Sequence, residues 1–373
     1  MRGTLAIGAA ALTLAWASVS LAGDLSGLYG VEGYFAEAAP GAAQSPAADK
    51  MVQSPIQAGK HLPDDFSCCF QACQFPCVYF QADVLYWDRI GTGCHDVLVL
   101  DTDDGSTLLS TDDLDFDGAG GLRFLVGWRP RSCVDCCAWE LSYWGLYNWN
   151  ADAVVTGAGD LAIPGDLGLA SNNFFLADRI AADYRSELHN VEMNCVKSCC
   201  MHDIRLDFLI GFRYLALNDR LSLIATDLQE GTSSYDIEVH NDLYGLQFGG
   251  RAIRPLGCRW GLELTGKAAL MYNDVLASQR VTDFPDTPGA FVLRDASDSR
   301  DGVAMLGEIG IVLIRPLNEC WNLRAGYNAI GIGGLALAPD QLDFTATAAS
   351  GTEIHNTGWI FAHGATLGLE RRW

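Results

Sequence analysis

The stretch Asp203–Leu217, DIRLDFLIGFRYLAL, narrows the fold more than any other feature of the chain. Ile204, Leu206, Phe208, Ile210, Phe212 and Tyr214 share one face. Arg205, Asp207, Gly211 and Arg213 share the other, with Leu209 among them. Successive side chains of a strand point to opposite faces, so a period of two held this long reads as β-structure. The pattern recurs. Leu122, Phe124, Val126 and Trp128 oppose Arg123, Gly127 and Arg129. Trp139, Leu141, Tyr143, Tyr147 and Trp149 oppose Glu140, Ser142, Asn148 and Asn150. Trp260, Leu262, Leu264, Leu270 and Tyr272 oppose Glu263, Thr265 and Lys267. In Val78–Arg89, Phe80, Ala82, Val84 and Tyr86 oppose Gln81, Asp83 and Arg89, although Leu85 and Trp87 blur the division.

Ten strands are predicted, near 78–89, 118–129, 137–150, 185–194, 203–217, 241–253, 259–273, 302–314, 322–329 and 357–373. A strand-like piece at Val97–Leu100 leaves room for twelve. Tight turns join the second to the third, the fourth to the fifth, the sixth to the seventh and the eighth to the ninth. The other connections run from about a dozen to over thirty residues. An even strand number with short turns on one side and long loops on the other is the plan of an outer-membrane barrel. The faces agree. A soluble barrel turns its apolar face inward, whereas here the other face carries too much charge for a dry core. Trp128, Trp139, Trp260 and Trp321 sit beside the short turns, as an aromatic girdle would. The expected fold is therefore all-β, an antiparallel transmembrane β-barrel of about ten, at most twelve, strands. Its end, GATLGLERRW, alternates through Phe361, Ala365, Leu367 and Leu369 to Trp373. Outer-membrane barrels commonly offer such a terminal aromatic strand to their assembly machinery, so that machinery and outer-membrane lipid are the expected partners.

Ahead of the barrel, a basic Arg2, an apolar run from Thr4 to Val19 and Ser20-Leu21-Ala22 read as a secretory signal peptide over residues 1–22. Residues 23–67 are rich in Ala, Pro, Gly, Ser and Gln and read as a low-complexity tether. Residues 68–77 form a cysteine-rich segment, and 78–373 the barrel. After the leader no stretch of about 20 apolar residues follows, so no helical span is predicted. A net charge of −22 makes nucleic acid a poor partner.

The thirteen cysteines imply an oxidising compartment. Three turns read WRPRSCVDCCAW, IRPLGCRW and IRPLNECW, and a fourth NCVKSCC. Proline ends the outgoing strand because it cannot donate to the ladder. Cys133, Cys136, Cys137, Cys195, Cys199, Cys200, Cys258 and Cys320 lie at these turns. Cys68, Cys69, Cys73 and Cys77 precede the first strand on the same side, and Cys94 lies in a long loop. The twelve rim thiols are candidates for a disulfide layer across the periplasmic mouth, with free thiols as the alternative. Connectivity is not fixed by spacing. Cys133 and Cys136 have zinc-knuckle spacing, but no second pair completes a four-ligand site, so no metal or cofactor is predicted.

The strings VYFQADVLYW, LIGFRYLAL, NDLYGLQFGG, MLGEIGIVL and LRAGYNAIGIGGLALAPDQL resemble, in order, the putative β-barrel porin family number seven of planctomycete bacteria. The matching positions are Gly211 with Arg213 and Tyr214, Gly245 with Gln247, Gly307 with Glu308, and Leu335-Ala336 with Gln341. The resemblance covers roughly 77–373. It implies a membrane barrel and, at the family level, transport.

The predicted lumen is lined by Asp83, Glu140, Glu192, Asp207, Glu263 and Glu308, and by Arg123, Arg129, Arg205, Arg213, Arg251, Lys267 and Arg324. The signs nearly balance, so most negative charge belongs to loops such as LDTDDGSTLLSTDDLDFDG. These read as solvated, since Asp101, Asp103 and Asp104 lack calcium-loop spacing. Eight strands leave an interior just filled by side chains, and sixteen leave a channel. Ten strands with inward Gly127, Gly211, Gly245, Gly249, Gly310, Gly326, Gly364 and Gly368 lead to an expected narrow pore for passive diffusion of small solutes. The alternative is a plugged structural or surface-binding barrel without transport. His95, His240 and His355 sit in or near loops with no nucleophile–base spacing, so no enzyme is predicted.

Overall fold

The computed structural model describes residues 76–373, apart from 94, 131–136, 168–172, 230, 286–288, 346 and 348. The expected leader, tether and most of the cysteine-rich segment lie outside the described residues. Twelve strands are present: β1 (Val78–Ile90), β2 (Val97–Asp101), β3 (Thr107–Ser110), β4 (Ala119–Trp128), β5 (Ala138–Ala162), β6 (Phe175–Met201), β7 (Ile204–Asp227), β8 (Gly231–Leu256), β9 (Trp260–Pro285), β10 (Phe291–Pro316), β11 (Trp321–Leu335) and β12 (Gly358–Arg372). Ten of them close a ring in the order β1-β4-β5-β6-β7-β8-β9-β10-β11-β12. Closure is at β1, where Asp83 faces Gly368 of β12 on one side and Arg123 of β4 on the other. The β2–β3 hairpin joins the same sheet through Leu100–Ala162 and Asp101–Leu161.

On β7, Phe208, Ile210 and Phe212 point outward and are more than half exposed, while Arg205, Asp207 and Arg213 are buried inside. From Leu215 the polarity reverses. Leu215, Leu217, Leu221 and Leu223 are buried inside, and Asn218, Arg220 and Ser222 face out. Likewise β8 places Leu246 and Phe248 outward, then Tyr235, Ile237 and Val239 inward with Asp236, Glu238 and His240 outside. Lipid favours apolar atoms on the outer surface and water favours them inside. The reversal therefore marks where the wall leaves the membrane. The outward apolar stretch Ile204–Tyr214 spans about 33 Å of strand, or about 25 Å along the membrane normal at a tilt of about 40°, the height of a barrel's apolar band.

The ten predicted positions hold, but six strands are much longer than the alternation indicated. β5–β10 run 24 to 27 residues, against 10 to 15 for β1, β4, β11 and β12. Two of the five expected long loops are not loops. β7 and β8 pair to their tips, Asp227 with Gly231, and β9 and β10 pair up to Asp283 with Phe291. Beyond the membrane these six strands form a wall. The β2–β3 hairpin and the β11–β12 connection fold against its inner face, burying Leu98, Val99, Leu109, Ala336, Ala338 and Ile354 among Leu221, Leu223, Tyr235, Ile237 and Val275. The acidic loop expected to be merely solvated is thus anchored by its apolar residues.

Candidate functional site

All thirteen predicted lining residues face inward, and the structure gathers them into neighbouring clusters at the short-turn end of the lumen. At its centre Arg213, fully buried, donates to Asn190 at 2.6 Å and to Glu308 at 2.8 Å, with Glu192 at 3.6 Å. Lys267 closes a square of alternating charge, 3.0 Å from Glu192 and 3.3 Å from Glu308. Gln247 donates to Glu192 and to Asn194. Toward the β1 seam, Arg123 meets Asp83. Arg251 joins Glu140 to Asp207, which Arg205 also holds at 2.7 Å. Arg324 bridges Glu263 at 2.8 Å and Glu370 at 2.9 Å. Arg129 reaches Ser198 at the rim. Glu370, Arg372, Tyr79 (donating to Glu140) and the amides Gln81, Asn190, Asn194 and Gln247 complete the clusters. The first two were legible, because they lie out of phase with Leu367 and Leu369. With Arg372 counted there are eight cations (Arg123, Arg129, Arg205, Arg213, Arg251, Lys267, Arg324, Arg372) and seven anions (Asp83, Glu140, Glu192, Asp207, Glu263, Glu308, Glu370). Their charges nearly balance.

The inward glycines do not leave open space. At Gly127 a Cβ would collide with the Tyr79 ring, and at Gly368 with the Asp83 carboxylate. The space vacated on one strand is taken by a large side chain from its neighbour. Among the described residues, one cavity of about 60 Å³ is bordered by Arg123, Glu140, Glu192, Lys267, Glu308 and Arg324, room for a few waters, and another of about 20 Å³ by Tyr79, Arg205 and Arg372.

Above the charges lies an apolar layer that includes Leu85, Trp87, Trp144, Trp149, Leu188, Leu215 and Leu217, all at most 3% exposed. Leu85 and Trp87, which break the β1 alternation, belong to this layer. A second buried ion pair follows, Arg89 with Asp219 at 2.9 Å, tied to Tyr184 and Ser186. The mouth is then filled by the β11–β12 connection, residues 336–357. Asn241 clamps it, donating to the Ala336 carbonyl at 2.7 Å and accepting from the Ala336 N–H at 2.9 Å. Gln279 donates to the Gln341 carbonyl, Arg294 to the Asp343 and Thr345 carbonyls, and Gln341 to the Leu337 and His355 carbonyls. Burial works to raise the pKa of Asp343. Hydrogen bonds from the Thr345 hydroxyl and N–H and from the Gly351 N–H, with Arg294 nearby, outweigh it and hold the carboxylate below its usual range. Sequence reasoning had no signal for this plug, beyond Leu335-Ala336 with Gln341 among the positions that carry the family resemblance.

The rim thiols depart from expectation. Cys77, Cys137, Cys195, Cys199, Cys258 and Cys320 are free, so no disulfide layer links these six. Cys137, just before β5, and Cys195, on the paired strand β6, hold their thiols in hydrogen-bonding contact. Cys200 is disulfide-bonded, to a partner outside the described residues. Cys68, Cys69, Cys73, Cys133 and Cys136 also lie outside them. Trp128 pairs across strands with Trp139, and both, like Trp260, are about 40% exposed, with Trp321 partly so.

No curated protein matches the chain. Among solved structures it is similar to the outer membrane protease OmpT from Escherichia coli, at 10% identity and a TM-score of 0.41, covering 79% of this chain and 97% of that one. It is also similar to a major outer membrane protein from Thermus thermophilus, at 10% identity and a TM-score of 0.32, covering 79% and 99%. The translocator domain of the autotransporter NalP from Neisseria meningitidis matches at 13% identity and a TM-score of 0.31, covering 79% and 88%. The family described as "Putative beta barrel porin-7" matches residues 86–373, which takes in the end of β1, the nine other ring strands and the plug, and the chain belongs to that family.

Proposed function

We propose that this barrel is a closed envelope anchor, held in the outer membrane by its apolar band and raising a six-stranded wall above it, rather than an open pore for small solutes. One observation carries the reading: behind the charged clusters, a layer of Trp, Leu and Ile side chains at most a few per cent exposed crosses the lumen, and the β11–β12 connection is clamped over it. Diffusion needs a continuous water path, and the buried apolar side chains at this level argue against one. No catalytic step belongs to this reading. The test is single-channel conductance of refolded protein in a planar bilayer. Silence from protein shown to be folded and inserted is the expected result, and reproducible open steps from the unaltered chain would overturn it.

A second reading, a gated narrow pore, is favoured by the plug being held through polar side chains of the wall, with water-sized space and balanced charge beneath it. It predicts conductance only when the segment 343–353 is deleted, with ion selectivity that changes in Glu192→Gln or Lys267→Met.

A further inference from the structure

The two borders of the apolar band carry opposite charge. At the periplasmic border the outward positions of four strands are cationic: Lys197 on β6, Arg254 on β8, Arg315 on β10 and Arg371 on β12, all exposed. Among the described residues no outward strand position at that level is acidic. Asp203 and Glu319 lie in the turns, and Asp207 and Glu370 point into the lumen. Arg254, Arg315 and Arg371 form no ion pair with one another or with the inward acids. Two of them instead lie over the girdle. The Arg315 guanidinium is 5.3 Å from the Trp260 ring centre, and that of Arg371 is 5.5 Å from Trp321 and 4.6 Å from Trp373. At the opposite border the outward row is acidic: Asp242, Asp274 and Asp301 stand side by side on β8, β9 and β10.

A guanidinium laid flat on an exposed Trp keeps its N–H edge free for a further acceptor. Trp at a membrane interface sits at the level of the headgroups. The acceptor that occurs at that level, carries negative charge and offers the planar pair of oxygens a guanidinium prefers is a lipid phosphate. Long-range attraction cannot produce such a preference, because the chain as a whole carries −22 and repels anions.

We propose that the Arg–Trp pairs at the periplasmic girdle, Arg315 with Trp260 and Arg371 with Trp321 and Trp373, form a binding surface for anionic phospholipid headgroups of the inner leaflet. This goes beyond the closed-barrel reading and stands whether or not the lumen conducts.

Native mass spectrometry of the full mature protein in detergent tests it, with phosphatidylglycerol and phosphatidylcholine of identical acyl chains added in turn. The unaltered protein should retain several-fold more phosphatidylglycerol. Arg315→Gln with Arg371→Gln should bring retention of the two lipids close to equal, while Arg220→Gln, on the wall beyond the membrane, should leave the excess unchanged. Equal retention of the two lipids by the unaltered protein would overturn the proposal and needs no variant. An undiminished preference in the folded double variant would overturn it as well. Displacement of the lipid by millimolar inorganic phosphate would assign the surface to a free anion and refute the lipid assignment.

Discussion

Arg213 offers the sharpest test of whether the lumen is dry. Its side chain is fully buried and shares charge with Glu308 at 2.8 Å and Glu192 at 3.6 Å. At an effective dielectric constant of about 20, those attractions amount to about 6 and about 5 kcal/mol. Most of that is offset by the cost of taking the guanidinium out of water. Arg213→Met removes the attraction and leaves two carboxylates sharing Lys267 alone. Breaking a buried pair in this way costs about 3–5 kcal/mol. In a water-filled pore the same pair would be screened, and its loss would cost about 0–1 kcal/mol. The assay is urea unfolding of protein refolded into vesicles, followed by electrophoretic mobility without heating. Arg220→Met, whose side chain is 55% exposed against Asp236 and Glu238, is the control and should cost under about 1 kcal/mol. Restoring neutrality with Arg213→Met and Glu308→Gln together should recover much of the loss, because Glu192 keeps Lys267. A loss under about 1 kcal/mol for Arg213→Met, equal to the control, would refute the reasoning and point to a hydrated lumen.

The reversal of polarity along β7 predicts that Ile210→Arg, facing lipid, costs about 2–4 kcal/mol, while Ser222→Arg, facing out twelve residues further along the strand, falls within about 0.5 kcal/mol; equal costs in the same unfolding assay would contradict the assigned band. Asn241→Leu should release the plug, since it leaves the Ala336 N–H and carbonyl buried without partners at about 1–3 kcal/mol. The check is faster cleavage after Glu353 by a glutamyl endopeptidase. Asp343 has its folded-state pKa held down, so its contribution to plug stability is present above the unfolded value of about 3.9 and is lost as pH falls through the lower folded one. Hydrogen exchange at Thr345 and Gly351 should therefore lose protection well below pH 4, and in Asp343→Asn already at pH 7.

The ten ring strands were legible because lipid forces a long, strict alternation, and because Pro and Trp mark where three of the four short turns begin and end. The thirteen lining residues were legible for the same reason: inside the band, whatever is polar and out of phase faces the lumen. The upper halves of β5–β10 were not, although on β7 and β8 the alternation runs on. Leu215, Leu217, Leu221, Leu223 and Ala225 keep the period of two but occupy the positions that Arg205, Asp207 and Arg213 hold lower down. A reader who tracks only which face is apolar sees the pattern fail at Leu215 and ends the strand there. Reading on in the opposite phase would have recovered Asn218–Thr226 as wall.

The same phase change bears on the lumen. A polar-in, apolar-out strand can line water, but once the phase inverts, the inside of the wall is as apolar as a soluble core and must be filled. β6–β9 carry that inverted phase on four adjacent strands, so a chain with this sequence exposes Leu221, Leu223, Tyr235, Ile237, Val239 and Val275 to its own interior. Left open, those six side chains would cost about 1.5–3 kcal/mol each, more than an ordinary domain's margin of stability. Something had to cover them, and the β11–β12 connection, with Ala336, Ala338, Ile354 and Phe344 turned inward, is apolar where it meets them. The plug follows from the inversion, and the inversion is written in the order of leucines and aspartates along β7.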